Sequence, residues 1–132
     1  MKRNSRLYLA LHTLSHMAGD PANTRTSAAI AEHAGTNPVV VRRVLGKLRK
    51  AGLLTSEKGH AGGWKLAKAP KDVSLADVYL ALEEKLVASE AEDQADGCKV
   101  AHTMHNRVGE VLAQAEAELV QRLSKTSIAD LG

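Results

Sequence analysis

Apolar residues recur at helical spacing from the start of the chain. Leu7, Ala10, Leu11, Leu14, Met17 and Ala18 share one face of a helix that Gly19-Asp20-Pro21 ends. A short second helix follows, with Thr26 or Ser27 as its cap, Ala28 to Ala34 as its body and Gly35 as its left-handed stop. Asn37-Pro38 restarts the helical pattern at once. Asn37 caps this third helix, and Pro38 sits in its first turn, where a missing N–H costs nothing. Val41, Val44, Leu45 and Leu48 form its buried stripe, and Gly52 ends it. The period then changes from helix to strand. Leu53 to Glu57 and Trp64 to Ala67 read as two strands of a hairpin joined by a glycine-rich turn, Lys58 to Gly63.

Pro70 breaks the chain again. Ser74 caps a fourth helix, with Asp77 completing a capping-box pattern and Leu75, Val78, Tyr79 and Leu82 as the apolar face. Residues 87–97 read as a loop or a weakly formed helix. From about Cys98 to Ser124 the pattern is one long helix, roughly 40 Å at 1.5 Å per residue. Met104, Val108, Val111, Leu112, Ala115, Leu119 and Leu123 share a face of it. Such a stripe exceeds what so small a domain can cover, and it is expected to pair with a second copy of the chain. Thr126 to Leu131 forms a closing turn.

Composition narrows the function classes. The chain has 132 residues, 44% hydrophobic and 25% charged, which suits a folded domain. With no Phe, one Trp and two Tyr, the core must be aliphatic, which favours packed helices over a large sheet. No apolar run approaches the ~20 residues of a membrane span, and the basic N-terminus continues as an amphipathic helix, so the cytoplasm is the default compartment. A single cysteine excludes an intramolecular disulfide. No nucleophile elbow, phosphate-binding glycine loop or paired-carboxylate setting appears, so an enzyme is not expected.

Charge distribution says more than the net +3. From Asn37 to Lys71 nine basic residues face one acid, Glu57, a local charge of +8. From Glu83 to Asp96 six acids face Lys85, a local −5. A short helix, a tight turn, a basic helix and a glycine-turned hairpin, in that order, make a winged helix-turn-helix. The fold class expected is mainly α, with a long C-terminal dimerisation helix. Residues 1–83 would form the DNA-binding domain, 84–97 an acidic loop, and 98–132 the dimerisation helix and closing turn. Helix 37–51 would enter the major groove, and the wing, 53–67, would meet the adjacent groove or backbone. Candidate DNA contacts are Thr26, Ser27, Asn37, Val39, Val40, Arg42, Arg43, Lys47, Lys58 and His60. Capping alone explains Thr26 and Ser27, Asn37 can both cap its helix and touch DNA, and Val40 can equally pack inward. Trp64 is expected to pack the hairpin onto the helices.

The same stretches carry a family resemblance. Asn37 to Arg43, Leu48 to Leu53, Gly59 to Trp64, Leu75 to Tyr79 and Thr126 to Leu131 together resemble the Rrf2 family of bacterial transcription regulators, over nearly the whole chain. The resemblance implies a dimeric, sequence-specific regulator of double-stranded DNA, usually a repressor. Many members hold an iron–sulfur cluster on three cysteines before the long helix. This chain has only Cys98 there, so the cluster is not carried over. The wing also departs from the family, with His60-Ala61 where proline is common.

Two histidine sets stand out. Cys98, His102 and His105 share a face at the start of the long helix, a set suited to zinc or another divalent metal, or to a redox-sensing thiol, or simply to a helix surface. His12 and His16 are four apart on the first helix, a spacing that alone would suit a metal, but no third ligand is expected nearby, and they read as surface or inter-helix residues. A winged-helix protein-interaction module is the alternative to a DNA regulator. A docking module has no need of nine basic residues against one acid across the recognition helix and wing.

Overall fold

The computed structural model describes residues 5–57, 63–82 and 99–131. Among the described residues, five helices and one hairpin follow the predicted order: α1 (Ser5–Gly19), α2 (Ser27–Ala34), α3 (Pro38–Lys50), β1 (Leu54–Ser56), β2 (Trp64–Leu66), α4 (Leu75–Ala81) and α5 (Lys99–Leu123). Short 3-10 turns occupy Pro70–Asp72 and Ile128–Leu131. The fold is mainly α, a winged helix-turn-helix followed by a long helix. The wing tip, with Lys58 and His60, lies outside the described residues, as do the acidic stretch 84–97 and Cys98.

α1 is the centre of the core. Its Ala10, Leu14 and Met17 are sealed from solvent against Val41, Val44, Leu45 and Leu48 of α3. Ile30 and Ala31 of α2, Leu53 and Leu54 at the wing base, and Val78 and Leu82 of α4 complete it. The closing turn returns to this core. Ile128 is fully buried, its N–H donates to the Val73 carbonyl at 2.8 Å, and Leu75 N–H donates to the Thr126 carbonyl at 2.9 Å. None of the buried core residues among those described comes from α5, whose main neighbour is α4.

The predicted caps are present. Asn37 Oδ1 accepts from Val40 N–H at 3.0 Å, with Pro38 in the first turn. At α4 the capping box is reciprocal: Ser74 Oγ accepts from Asp77 N–H and Asp77 Oδ2 accepts from Ser74 N–H, both at 3.0 Å. Ser74→Ala is therefore expected to lower unfolding stability by about 1 kcal/mol. Urea denaturation would read this as a lower midpoint at unchanged slope.

Candidate nucleic-acid interface

The turn between α2 and α3 sets the recognition helix. α2 opens on Thr26, whose Oγ1 accepts from Ala29 N–H at 3.1 Å. It closes on Gly35 at φ 73°, a left-handed position that favours glycine. Thr36 N–H then donates to the Ala31 carbonyl at 2.9 Å, and α3 begins two residues later. With the α3 stripe buried, its opposite face shows Val39, Arg42 and Arg43, all exposed, followed by Arg49 and Lys50.

Not every predicted contact belongs to that face. Val40 is half-buried against the core. Lys47 is half-buried too, its Nζ donating to the Leu82 carbonyl at the end of α4 at 3.2 Å. Helix position explains both: they flank the apolar stripe, and Lys47 finds a carbonyl that helix termination leaves free. The side chains of Thr26 and Asn37 are occupied as caps.

The wing is fastened to this frame from both sides. β1 and β2 pair antiparallel, Leu54 opposite Leu66 and Ser56 opposite Trp64. The free edge of β2 is covered by Arg25, whose backbone exchanges two hydrogen bonds with Trp64, at 2.8 and 3.2 Å. Trp64 Nε1 donates to Ser27 Oγ at 2.9 Å, and Arg49 Nη1 donates to Ser56 Oγ at 3.0 Å. Trp64 thus packs the hairpin, as its position suggested. Between α2, α3 and the wing lies a polar cleft of about 440 Å³, bordered by Ser27, Arg42, Gly46, Arg49 and Glu57.

Gly63 has a role the sequence does not reveal. A Cβ there would stand 2.8 Å from the Arg25 carbonyl oxygen, 2.9 Å from its nitrogen and 2.9 Å from Thr24 Cβ. The close approach is to the protein's own backbone. Gly63→Ala is expected to cost about 1–3 kcal/mol by forcing the wing off Arg25. Thermal unfolding measures that cost.

A second cluster lies behind α2. His12 and His16 of α1 meet His33 in the last turn of α2, and the Nε2 of His16 is 3.0 Å from the Nε2 of each of the other two. The expectation that the α1 pair has no third partner nearby is therefore corrected: His33, near the end of α2, stands beside it. Burial lowers the His16 pKa, and the charges of His33, His12 and Arg25 lower it further. On α5, His102 is exposed and His105 half-buried. Of the predicted pairing face, Met104, Val108, Val111 and Ala115 are exposed, and Leu112 and Leu119 are half-buried.

Comparison with known proteins agrees with this geometry. The Rrf2 profile, described as an iron-dependent transcriptional regulator, matches residues 3–132. YwnA of Bacillus subtilis (strain 168), named as an HTH-type transcriptional regulator, is 37% identical over 130 residues, which is 97% of this chain and 95% of YwnA. A crystal structure described as that of a DNA-binding protein superposes with a TM-score of 0.76 at 33% identity, covering 96% of this chain and 97% of that one. A transcriptional regulator from Lactobacillus plantarum shares the fold with a TM-score of 0.79 at 23% identity, covering 96% of this chain and 86% of that one. From its first helix to its closing turn, this chain belongs to the Rrf2 family of transcriptional regulators.

Proposed function

We propose that the protein is a sequence-specific DNA-binding repressor that works as a homodimer in the cytoplasm. The observation that carries this reading is the polar cleft between the N-terminus of α2, the cationic face of α3 and the base of the wing. A duplex with α3 in its major groove brings a phosphate into that cleft. The N-terminus of α2 favours the negative charge, and Arg42 and Arg49 border the same space. Arg43 and Val39 face outward beside it, toward base edges: an arginine suits guanine and a valine the thymine methyl. Lys58 and His60 at the wing tip would add contacts to the neighbouring groove or backbone. Repression needs nothing beyond occupancy of the promoter.

The dimer reading rests on α5. Val100, Met104, Val108 and Val111 are spaced at helical intervals and are 49–76% exposed. They form one apolar strip that no described part of the same chain covers. A second copy related by a two-fold axis would bury it, and would pair two recognition helices with the two halves of a palindrome.

Fluorescence anisotropy against genomic fragments tests the reading. Tight binding to a palindromic promoter fragment that weakens steeply with salt is expected, because each neutralised phosphate releases counterions. Failure to bind any fragment at low salt would overturn it in favour of a protein-docking role.

An iron–sulfur cluster does not fit the donors present. Such clusters are held mainly by several thiolates, and Cys98 is the only cysteine in the chain.

A further inference from the structure

We propose that His12, His16 and His33 form a binding site for one divalent transition-metal ion, which bridges α1 to α2. Each of the three residues offers one ring nitrogen, and these nitrogens all lie within 4.8 Å of one another. Two come from successive turns of α1 and the third from the last turn of α2.

Hydrogen bonding alone does not account for the arrangement. The Nε2 of His16 is 3.0 Å from the Nε2 of His12 and 3.0 Å from that of His33. A ring nitrogen presents either one N–H or one lone pair, in a single in-plane direction. It can make one good hydrogen bond of this kind, not two. A cation among three lone pairs satisfies all of them. With metal–nitrogen bonds of about 2.0–2.1 Å, tetrahedral ligands stand about 3.3 Å apart. The two short separations lie within a few tenths of an ångström of that.

The lining selects the class of ion. Around the imidazoles the small cleft shows Thr13, Arg25 and the aliphatic Ala29, Ile30 and Ala34, with no carboxylate among the described residues that line it. Calcium, magnesium and manganese prefer oxygen ligands, whereas imidazole suits zinc, nickel, iron and copper. Three protein ligands leave a fourth position for water or an anion. Arg25 lines the cleft, and its Nε is buried without a hydrogen-bond partner among the described residues, so a donor for such a ligand is near. The ion would fix α2 against α1, and α2 carries both the turn into α3 and, through Ser27, a bond to the wing.

Tag-free protein, stripped with a chelator and dialysed, tests the site with zinc(II) by calorimetry and with cobalt(II) by its visible ligand-field bands. One ion per chain is expected, with cobalt bands of tetrahedral intensity and a rise in thermal midpoint on adding zinc. His16→Asn and His33→Asn should each weaken zinc binding by roughly 100-fold or more, beyond the effect of removing a group that merely hydrogen-bonds to a ligand. Both should remove the thermal shift. X-ray absorption of the zinc-loaded wild type should show three imidazole nitrogens. The double variant His102→Asn/His105→Asn and the variant Cys98→Ser should bind zinc as the wild type does. Zinc affinity unchanged in His33→Asn, binding abolished in Cys98→Ser instead, or no binding at micromolar zinc would each overturn the proposal. Circular dichroism of the stripped variants checks that weakened binding does not come from unfolding.

Discussion

Replacing Arg42 and Arg43 together by alanine should lower operator affinity by about 2 kcal/mol or more per half-site, roughly a 30-fold loss. Both side chains are exposed, so the fold and thermal midpoint should stay close to those of the wild type. The two single variants should differ in kind. Arg42 borders the cleft with Ser27, Arg49 and Glu57, a position suited to a phosphate. Arg42→Ala should weaken all sequences alike and reduce the salt slope by about 1 for each phosphate no longer neutralised. Arg43 does not border that cleft, and Arg43→Ala should relax preference at one base pair. Anisotropy titrations at several salt concentrations, on the operator and on single-base variants of it, separate the two. Unchanged affinity in the double variant would remove α3 as the reading element.

If α5 pairs two copies of the chain as proposed, the wild type sediments as a dimer at micromolar concentration and Val108→Asp as a monomer. Val108 is 49% exposed on the strip that runs from Val100 to Val111. In a two-fold interface the substitution acts twice, and an uncompensated buried charge costs several kcal/mol. Sedimentation velocity reads the mass directly. Operator binding should fall with it, because two linked half-sites gain roughly 10²–10⁴ in avidity that a monomer lacks. A variant that sediments as a dimer would place the interface elsewhere.

What the sequence reveals of this fold is what acts over short stretches. Asn37-Pro38, Gly35 and the Ser74/Asp77 box are legible because a cap is decided within four residues. The α3 stripe is legible because its spacing matches a helix turning over one core. The sequence conceals pairings between distant elements. Lys47 reads as a groove contact until α4 brings the Leu82 carbonyl to it, 35 residues on. His12 and His16 announce a helix face, but His33 is 17 residues beyond His16 and joins them only because the fold brings the end of α2 beside α1. Gly63 reads as one residue of a glycine-rich turn, yet a side chain there would meet the backbone of Arg25 and Thr24 Cβ. Ile128 lies in an isolated short turn by sequence, and its burial depends on the chain returning from α5. The site itself divides the same way. Its charge and the exposure of Arg42 and Arg43 follow from local pattern, whereas the cleft they border is made by three separated segments.

The bonds from Arg25, Ser27 and Arg49 to the hairpin make α2, α3 and the wing a single frame. In a dimer, two such frames meet DNA as rigid jaws whose individual grip is set in advance. What remains adjustable is their separation and relative tilt. Half-sites come into phase once per helical turn, about 34 Å along the duplex. A small change in the angle between two paired α5 helices would put one jaw out of step with the groove while leaving every DNA-facing residue undisturbed. Grip on the operator would then depend on phase as well as on local affinity. An operator lengthened by one base pair between its half-sites should therefore bind more weakly, with the contacts to each separate half-site unchanged.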